Sequence, residues 1–261
     1  MKAVILCGGM GTRIRDASEV LPKPMLPIGD KPIVWHIMKT YASYGIQDFV
    51  LCLGYKGWVI KEFFLNYRAM TCDLRVGLGS GGIEYLTPGD ERTWSVTLAD
   101  TGLETMTGGR VARIKKYVAN DDLFLVTYGD GVGNVDVGKL IAAHRSHGKI
   151  VTVTAVRPQG RFGELRLDGG VVQEFNEKPQ ASAGFINGGF FVCDARRIWD
   201  YLGDDPMTSF EREPMQRLSR ERQLMAFEHD GYWQPMDTLR EYTLLNELWA
   251  TGRAPWKTWT D

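Results

Sequence analysis

Gly8-Gly9-Met10-Gly11-Thr12-Arg13 is the first stretch of this chain whose residue types could do chemistry. Glycines leave the backbone bare, so successive N–H groups can close on a phosphate that a Cβ would hold off. Arg13 adds a fixed charge at the end of the loop. Lys23 follows between Pro22 and Pro24, which restrict the backbone on either side of it. A rigid mount suits a lysine that must meet a defined oxygen; the ordinary alternative for both cations is a solvated surface. Asp130, in Tyr128-Gly129-Asp130-Gly131, offers the hard oxygen that Mg2+ takes, usually as one or two carboxylates together with phosphate. An Asp-Gly pair also suits a plain turn. The apolar strand before the loop, the loop itself and the two cations together describe a nucleoside triphosphate site.

Two strands have to place these groups. Lys2–Cys7 is a short, β-rich apolar run directly before the glycine loop, and Asp122–Thr127 ends just before Tyr128-Gly129-Asp130. In an α/β sheet ligands lie beyond the carboxyl ends of the strands, so both loops should open into one crevice. Further strand-like runs at Asp48–Leu53, Val151–Val156 and Gly189–Cys193 alternate with helical patterns at Ile33–Tyr44, Lys56–Tyr67, Val137–Ser146 and Met207–Arg220. This predicts an α/β, Rossmann-like, doubly wound fold with a mostly parallel mixed sheet. Leu74 to Lys116 breaks the alternation and is expected to add edge strands or a small β-ribbon beside the nucleotide. Within it Gly77–Gly82 reads as a surface turn, with a linker or a lid as the alternatives. Glu241–Ala250 forms a C-terminal amphipathic helix with Tyr242, Leu245, Leu248 and Trp249 on one face. Trp256 and Trp259 beyond it need cover, for which an oligomer interface is the expectation.

Two better-known phosphate loops do not fit. The P-loop requires a lysine at a spacing these glycines lack, and G-x-G-x-x-G is half met by Gly9 and Gly11, with Ile14 where the third glycine belongs. A formal net charge of −1 lacks the broad basic footprint of a nucleic-acid binder. At 261 residues and 44% hydrophobic the chain can bury a large core. No apolar run approaches ~20 residues and no signal-peptide core is present, so a soluble, cytoplasmic chain without membrane partners is expected. Cys7, Cys52, Cys72 and Cys193 show no C-x-x-C spacing and read as buried, reduced thiols.

The chain resembles the sugar-1-phosphate nucleotidylyltransferases, and within them the glucose-1-phosphate cytidylyltransferases. The resemblance rests on Gly8 to Arg13, Pro22-Lys23-Pro24-Met25, Lys31 to Met38, Gly54-Tyr55-Lys56-Gly57 and Asp100-Thr101-Gly102. It continues through Thr105 to Arg110, Tyr128 to Gly131, Asn176-Glu177-Lys178-Pro179, Asn187 to Phe191 and Gln234 to Arg240, in the family's order. It implies transfer of CMP from CTP to glucose 1-phosphate, giving CDP-glucose and pyrophosphate with Mg2+ as cofactor. Arg13 and Lys23 would be the catalytic cations. Leu6, Gly8, Gly9, Met10, Gly11, Thr12, Thr105, Arg110 and Gly129 would join them in binding the nucleotide. Tyr128, Gly163, Glu177, Lys178 and Asn187 would hold the sugar phosphate, and Asp130 with Asp237 the metal. One domain is implied, with 1–135 mainly for the nucleotide, 136–240 mainly for the sugar phosphate and 241–261 as C-terminal helix and tail. A homo-oligomer and a bacterial pathway of deoxysugar or surface-polysaccharide synthesis are also implied. UTP or dTTP, or another sugar 1-phosphate, is the nearest alternative; a nucleotide-sugar-binding sensor is the non-enzymatic one. Trp233 could stack on a pyranose or simply fill the core. Leu74 to Thr93 and Cys7, where alanine is usual, depart from the family pattern.

Overall fold

The computed structural model describes residues 1–9, 21–79, 81–89, 91–158, 164–168, 171–176 and 184–260, with 164–168 and 171–176 described as backbone. Seven strands share one sheet: β1 (Ala3–Leu6), β2 (Asp48–Leu53), β3 (Ser95–Asp100), β4 (Leu123–Tyr128), β5 (Val151–Val156), β6 (Ile186–Asp194) and β7 (Leu224–His229). Their spatial order is β7-β5-β6-β4-β1-β2-β3. β1 lies in parallel register between β4 and β2, with Leu6 opposite both Tyr128 and Cys52. The segments following Leu6 and Tyr128 therefore leave the sheet side by side, as the strand-end rule anticipates. β6 is antiparallel to both of its neighbours and is the one reversed strand of this sheet. Its amino end thus reaches the edge where β4 delivers its carboxyl end.

Strict alternation along the central strands sends side chains to two faces. Ala3, Ile5, Phe49, Leu51 and Leu125 pack under helix α1 (Ile33–Ala42) and the C-terminal segment. Val4, Val50, Phe124 and Val126 pack against Val111, Ile114, Ile198, Phe210 and Leu218 on the other side. Burial of each large apolar side chain contributes about 1.5–3 kcal/mol, and both faces are covered throughout the centre. Among the described residues no helix is long and apolar enough to cross a membrane. All four cysteines are free; Cys7, Cys52 and Cys193 are buried, and burial pushes the Cys52 thiol up to about 12.

Two expectations change and a third holds. Trp256 and Trp259 are covered by the chain itself, gathered with Trp249 around the buried ring of His36. The tail therefore needs no partner surface. The helix expected over Met207–Arg220 is α-helical only at Glu213–Arg220. Pro214 sits in its first turn, where a missing N–H costs no bond. The residues before it brace another helix instead, since Met106 N–H donates to the Pro206 carbonyl at 2.8 Å and Gly109 N–H to the Thr208 carbonyl at 3.1 Å. Finally, Leu74–Val76 and Ile83–Tyr85 do pair as a hairpin, closed by Gly77 N–H donating to the Gly82 carbonyl at 2.9 Å. The two strands of this hairpin are not among the residues that line the cleft described below.

Candidate active site

Lys23 begins a one-turn 3-10 helix, Lys23–Met25, set up by Pro22 and Pro24. Met25 N–H donates to the Pro22 carbonyl at 2.8 Å and Leu26 N–H to the Lys23 carbonyl at 3.1 Å, which tightens the mount that the prolines begin. The lysine side chain is buried, and its Nζ donates to Asp130 Oδ2 at 2.6 Å and to Asp237 Oδ1 at 2.5 Å. Burial alone would lower the pKa of this ammonium. The Asp130 carboxylate, aided by Asp237, outweighs it and holds Lys23 above the usual lysine value.

Asp130 and Asp237 are brought together by local structure at each. Gly131–Gly133 pairs antiparallel with Trp233–Pro235, and Met236 N–H donates to the Asp130 carbonyl at 2.8 Å. Asp237 then enters the C-terminal helix Leu239–Ala250 through a capping box. Glu241 Oε2 accepts from the N–H groups of Asp237 at 2.7 Å and Thr238 at 2.8 Å, while Thr238 Oγ1 accepts from Glu241 N–H. The T-x-x-E signature of this cap is legible in the chain, although its link to Asp237 is not.

These groups line a cleft of about 340 Å3 with Leu6, Cys7, Gly8, Gly9, Pro24, Thr105, Met106, Thr107, Arg110, Tyr128 and Gly129. Close approach explains two of its glycines. A Cβ on Gly8 would lie 2.2 Å from the Arg110 guanidinium, and one on Gly129 would lie 2.9 Å from the Leu6 carbonyl oxygen. Arg110 faces this cleft, and both of its terminal nitrogens are engaged. Nη1 donates to the carbonyls of Leu53 and Gly102 and to the Thr101 hydroxyl, and Nη2 donates to the carbonyls of Gly8 and Leu103. It ties the ends of β1, β2 and β3 together.

Tyr128 stands on the far wall. Its hydroxyl accepts from Asn187 Nδ2 at 3.1 Å and donates to Glu211 Oε1 at 2.7 Å. Burial first, and then the Glu211 charge, hold the Tyr128 hydroxyl well above the phenol range. Glu211 Oε2 also accepts from Thr107 Oγ1 at 2.6 Å and Ser209 Oγ at 2.7 Å. This carboxylate links both walls of the cleft. Sequence reasoning missed it, because Phe210-Glu211-Arg212 carries no local signal.

Met10, Gly11, Thr12 and Arg13 lie outside the described residues, as do Gly163, Glu177 and Lys178. The structure brings together Leu6, Gly8, Gly9, Lys23, Thr105, Arg110, Tyr128, Gly129, Asp130 and Asp237 in one cleft, with Asn187 bonded to Tyr128. Trp233 donates from Nε1 to the Gly188 carbonyl at 2.8 Å and packs against the core. Among the described residues no cluster of three or more His, Cys, Asp or Glu could hold a metal ion. Two carboxylates already converging on one cation are nevertheless the set Mg2+ uses when phosphate and water complete its shell, so the residues fit that ion.

The profile of the family described as Nucleotidyl transferase matches residues 2–248. The glucose-1-phosphate cytidylyltransferase of Salmonella typhi is 51% identical over 259 residues, covering 99% of this chain and 100% of the relative. A probable glucose-1-phosphate cytidylyltransferase of Bacillus subtilis (strain 168) is 42% identical, again over 99% of this chain and 100% of the relative. Among solved structures, HddC of Yersinia pseudotuberculosis complexed with GMP-PN superposes with a TM-score of 0.68 at 24% identity, covering 95% of this chain and 99% of that one. That last likeness speaks for the fold.

Proposed function

The chain belongs to the nucleotidyl transferase family, and we propose that it transfers CMP from CTP to α-D-glucose 1-phosphate, forming CDP-glucose and releasing pyrophosphate. The observation that carries this proposal is the meeting of Lys23 Nζ with Asp130 and Asp237 in a cleft floored by the ends of β1 and β4. The choice of base and sugar draws its support from end-to-end similarity to relatives named for that activity.

The attacking atom is a phosphate oxygen of the sugar phosphate, ionised at neutral pH, so the site needs no general base. What it must supply is alignment and positive charge around the α-phosphorus. Lys23, kept charged by its two carboxylates, offers an ammonium to the oxygens that gain charge as pyrophosphate departs. Arg13 is assigned to the same triphosphate. Asp130 and Asp237 would hold Mg2+, which supplies further charge neutralisation at the reacting phosphate when bound. Gly9, beside which a Cβ would meet nothing, lets phosphate oxygens approach the backbone, while Gly8 leaves room for the Arg110 guanidinium and Gly129, whose N–H donates to the Leu6 carbonyl at 3.0 Å, fixes the loop that carries Asp130. Thr105 and the loop braced by Arg110 face the nucleotide, and Tyr128 and Asn187 face the sugar, with Gly163, Glu177 and Lys178 assigned to the same acceptor. CTP as donor sets the reaction in the cytoplasm.

Product analysis tests the assignment. The enzyme is incubated with glucose 1-phosphate and CTP, UTP or dTTP in turn, with and without Mg2+. CDP-glucose formed from CTP, dependent on Mg2+, is the expected result. Preference for another nucleotide overturns the base assignment, and no pyrophosphate release from any of them overturns the reaction.

A further inference from the structure

The Lys23 ammonium occupies the position toward which Asp130 and Asp237, the carboxylates assigned to the metal, both point. Nζ lies 2.6 Å from Asp130 Oδ2 and 2.5 Å from Asp237 Oδ1. The lysine side chain is 10% exposed, whereas those of Asp130 and Asp237 are 33% and 30% exposed. The carboxylates therefore open onto the cleft while the ammonium closes them from the protein side. A divalent ion bound to the same oxygens at about 2.1 Å would come within a few ångströms of Nζ. Two positive charges at that spacing repel strongly in a partly buried site. One ammonium cannot keep both oxygens while such an ion takes them.

We propose that Lys23 is the resident counter-ion of the Asp130–Asp237 pair: it holds the two carboxylates together in the metal-free enzyme and must yield them for a divalent cation to enter, which frees its ammonium for the phosphates of the nucleotide. The inference rests on the proposed function for the identity of the cation and of the phosphates. The backbone on either side of Lys23 is held by Pro22 and Pro24, so the exchange is confined to the lysine's four-carbon stem. Two consequences follow from the competition. The empty enzyme binds divalent metal weakly, and a triphosphate, by offering the ammonium other oxygens, strengthens that binding. Lys23 is thus a positioning residue for the carboxylates before it is a contact for the substrate.

Two measurements on nucleotide-free, chelator-stripped protein test this. In the first, Mn2+ binding is titrated by the EPR signal of the free ion for wild type and Lys23→Met, which keeps the bulk of the side chain and removes its charge. Lys23→Met is expected to bind Mn2+ at least tenfold more tightly; equal or weaker binding overturns the proposal. The second uses the folded wild type. The 15N ammonium resonance of Lys23, assigned by its absence in Lys23→Arg, is expected to be protected from solvent exchange without metal and to lose that protection at saturating Mg2+. Retained protection overturns the proposal. Neither measurement contains CTP or sugar phosphate, so a failure here is separable from a failure of the product assay.

Discussion

Lys23 and Arg110 are buried cations lining one cleft, and their surroundings differ in kind. Lys23 is held by two carboxylates, and that opposing charge outweighs the cost of burial. Arg110 is held by backbone carbonyls and a hydroxyl, and burial leaves its pKa below the ordinary arginine value. Charge-held cations can be exchanged for other cations; a cation held by four carbonyls from three strand ends cannot leave without loosening those ends. His36 completes the series. One ring nitrogen meets a carbonyl and the other the Trp256 N–H, and burial, outweighing the more remote Asp30 charge, lowers its pKa to about 4. The same desolvation thus meets a lysine charged between two carboxylates, an arginine tied to strand ends and a neutral histidine.

Asp130→Asn strikes the exchangeable end. Turnover should fall about 10^2–10^3-fold, the cost of one charge-stabilising group, with the thermal midpoint little changed. Retained turnover would remove Asp130 from the reacting centre and erase the contrast with Arg110. Arg110→Met attacks the other end and should cost roughly 2–4 kcal/mol in urea unfolding, since buried carbonyls lose their donors. If stability survives and nucleotide affinity alone is lost, Arg110 is a ligand contact after all.

The histidine sharpens the comparison through pH. Folded His36 titrates near 4 against an ordinary value of 6.5, so between these values the unfolded chain takes up a proton that the folded chain refuses. Stability should be full above pH 6.5, decline as pH falls toward 4 by up to ~3 kcal/mol, and then level off. His144, also lowered to about 4 mainly by burial, adds to the same slope. Urea titrations across this range should show a shallower decline in His36→Asn; an unchanged slope would mean that His36 is charged in the fold. A smaller effect is expected from Glu211→Gln, which removes one acceptor from the carboxylate joining Thr107 and Tyr128. KM for glucose 1-phosphate should rise about tenfold with kcat within a few-fold. The same substitution in a Tyr128→Phe background should add nothing; additive losses would make Glu211 a general structural residue.

Much of the frame was legible because short-range patterns carry it. β2 and β5 run over the residues their apolar blocks predicted, and Gly8-Gly9 and Gly129-Asp130 follow β1 and β4 as the strand–loop pattern required. Helix Val137–His147 ends one residue beyond the expected Ser146, stopped by Gly148 in the left-handed region. The direction of β6 was not legible, since an apolar strand reads the same in either pairing sense. Yet that reversal is what sets Asn187 beside Tyr128. Trp256 and Trp259 looked like surface in need of a partner because their cover, the His36 ring on helix α1, lies more than two hundred positions away in the chain.

Composition, periodicity and the glycine and proline punctuation were enough to specify strands that end in phosphate-sized loops and a lysine on a stiff mount, because those features depend on neighbours a few residues apart. Three-dimensional packing alone decided that Lys23 Nζ would rest between carboxylates 107 and 214 positions distant, that Arg110 would spend its donors on carbonyls, and that Glu211 would join the two walls. Coulombic and hydrogen-bond energies depend on distance in space and on local burial. No spacing along the chain encodes either one.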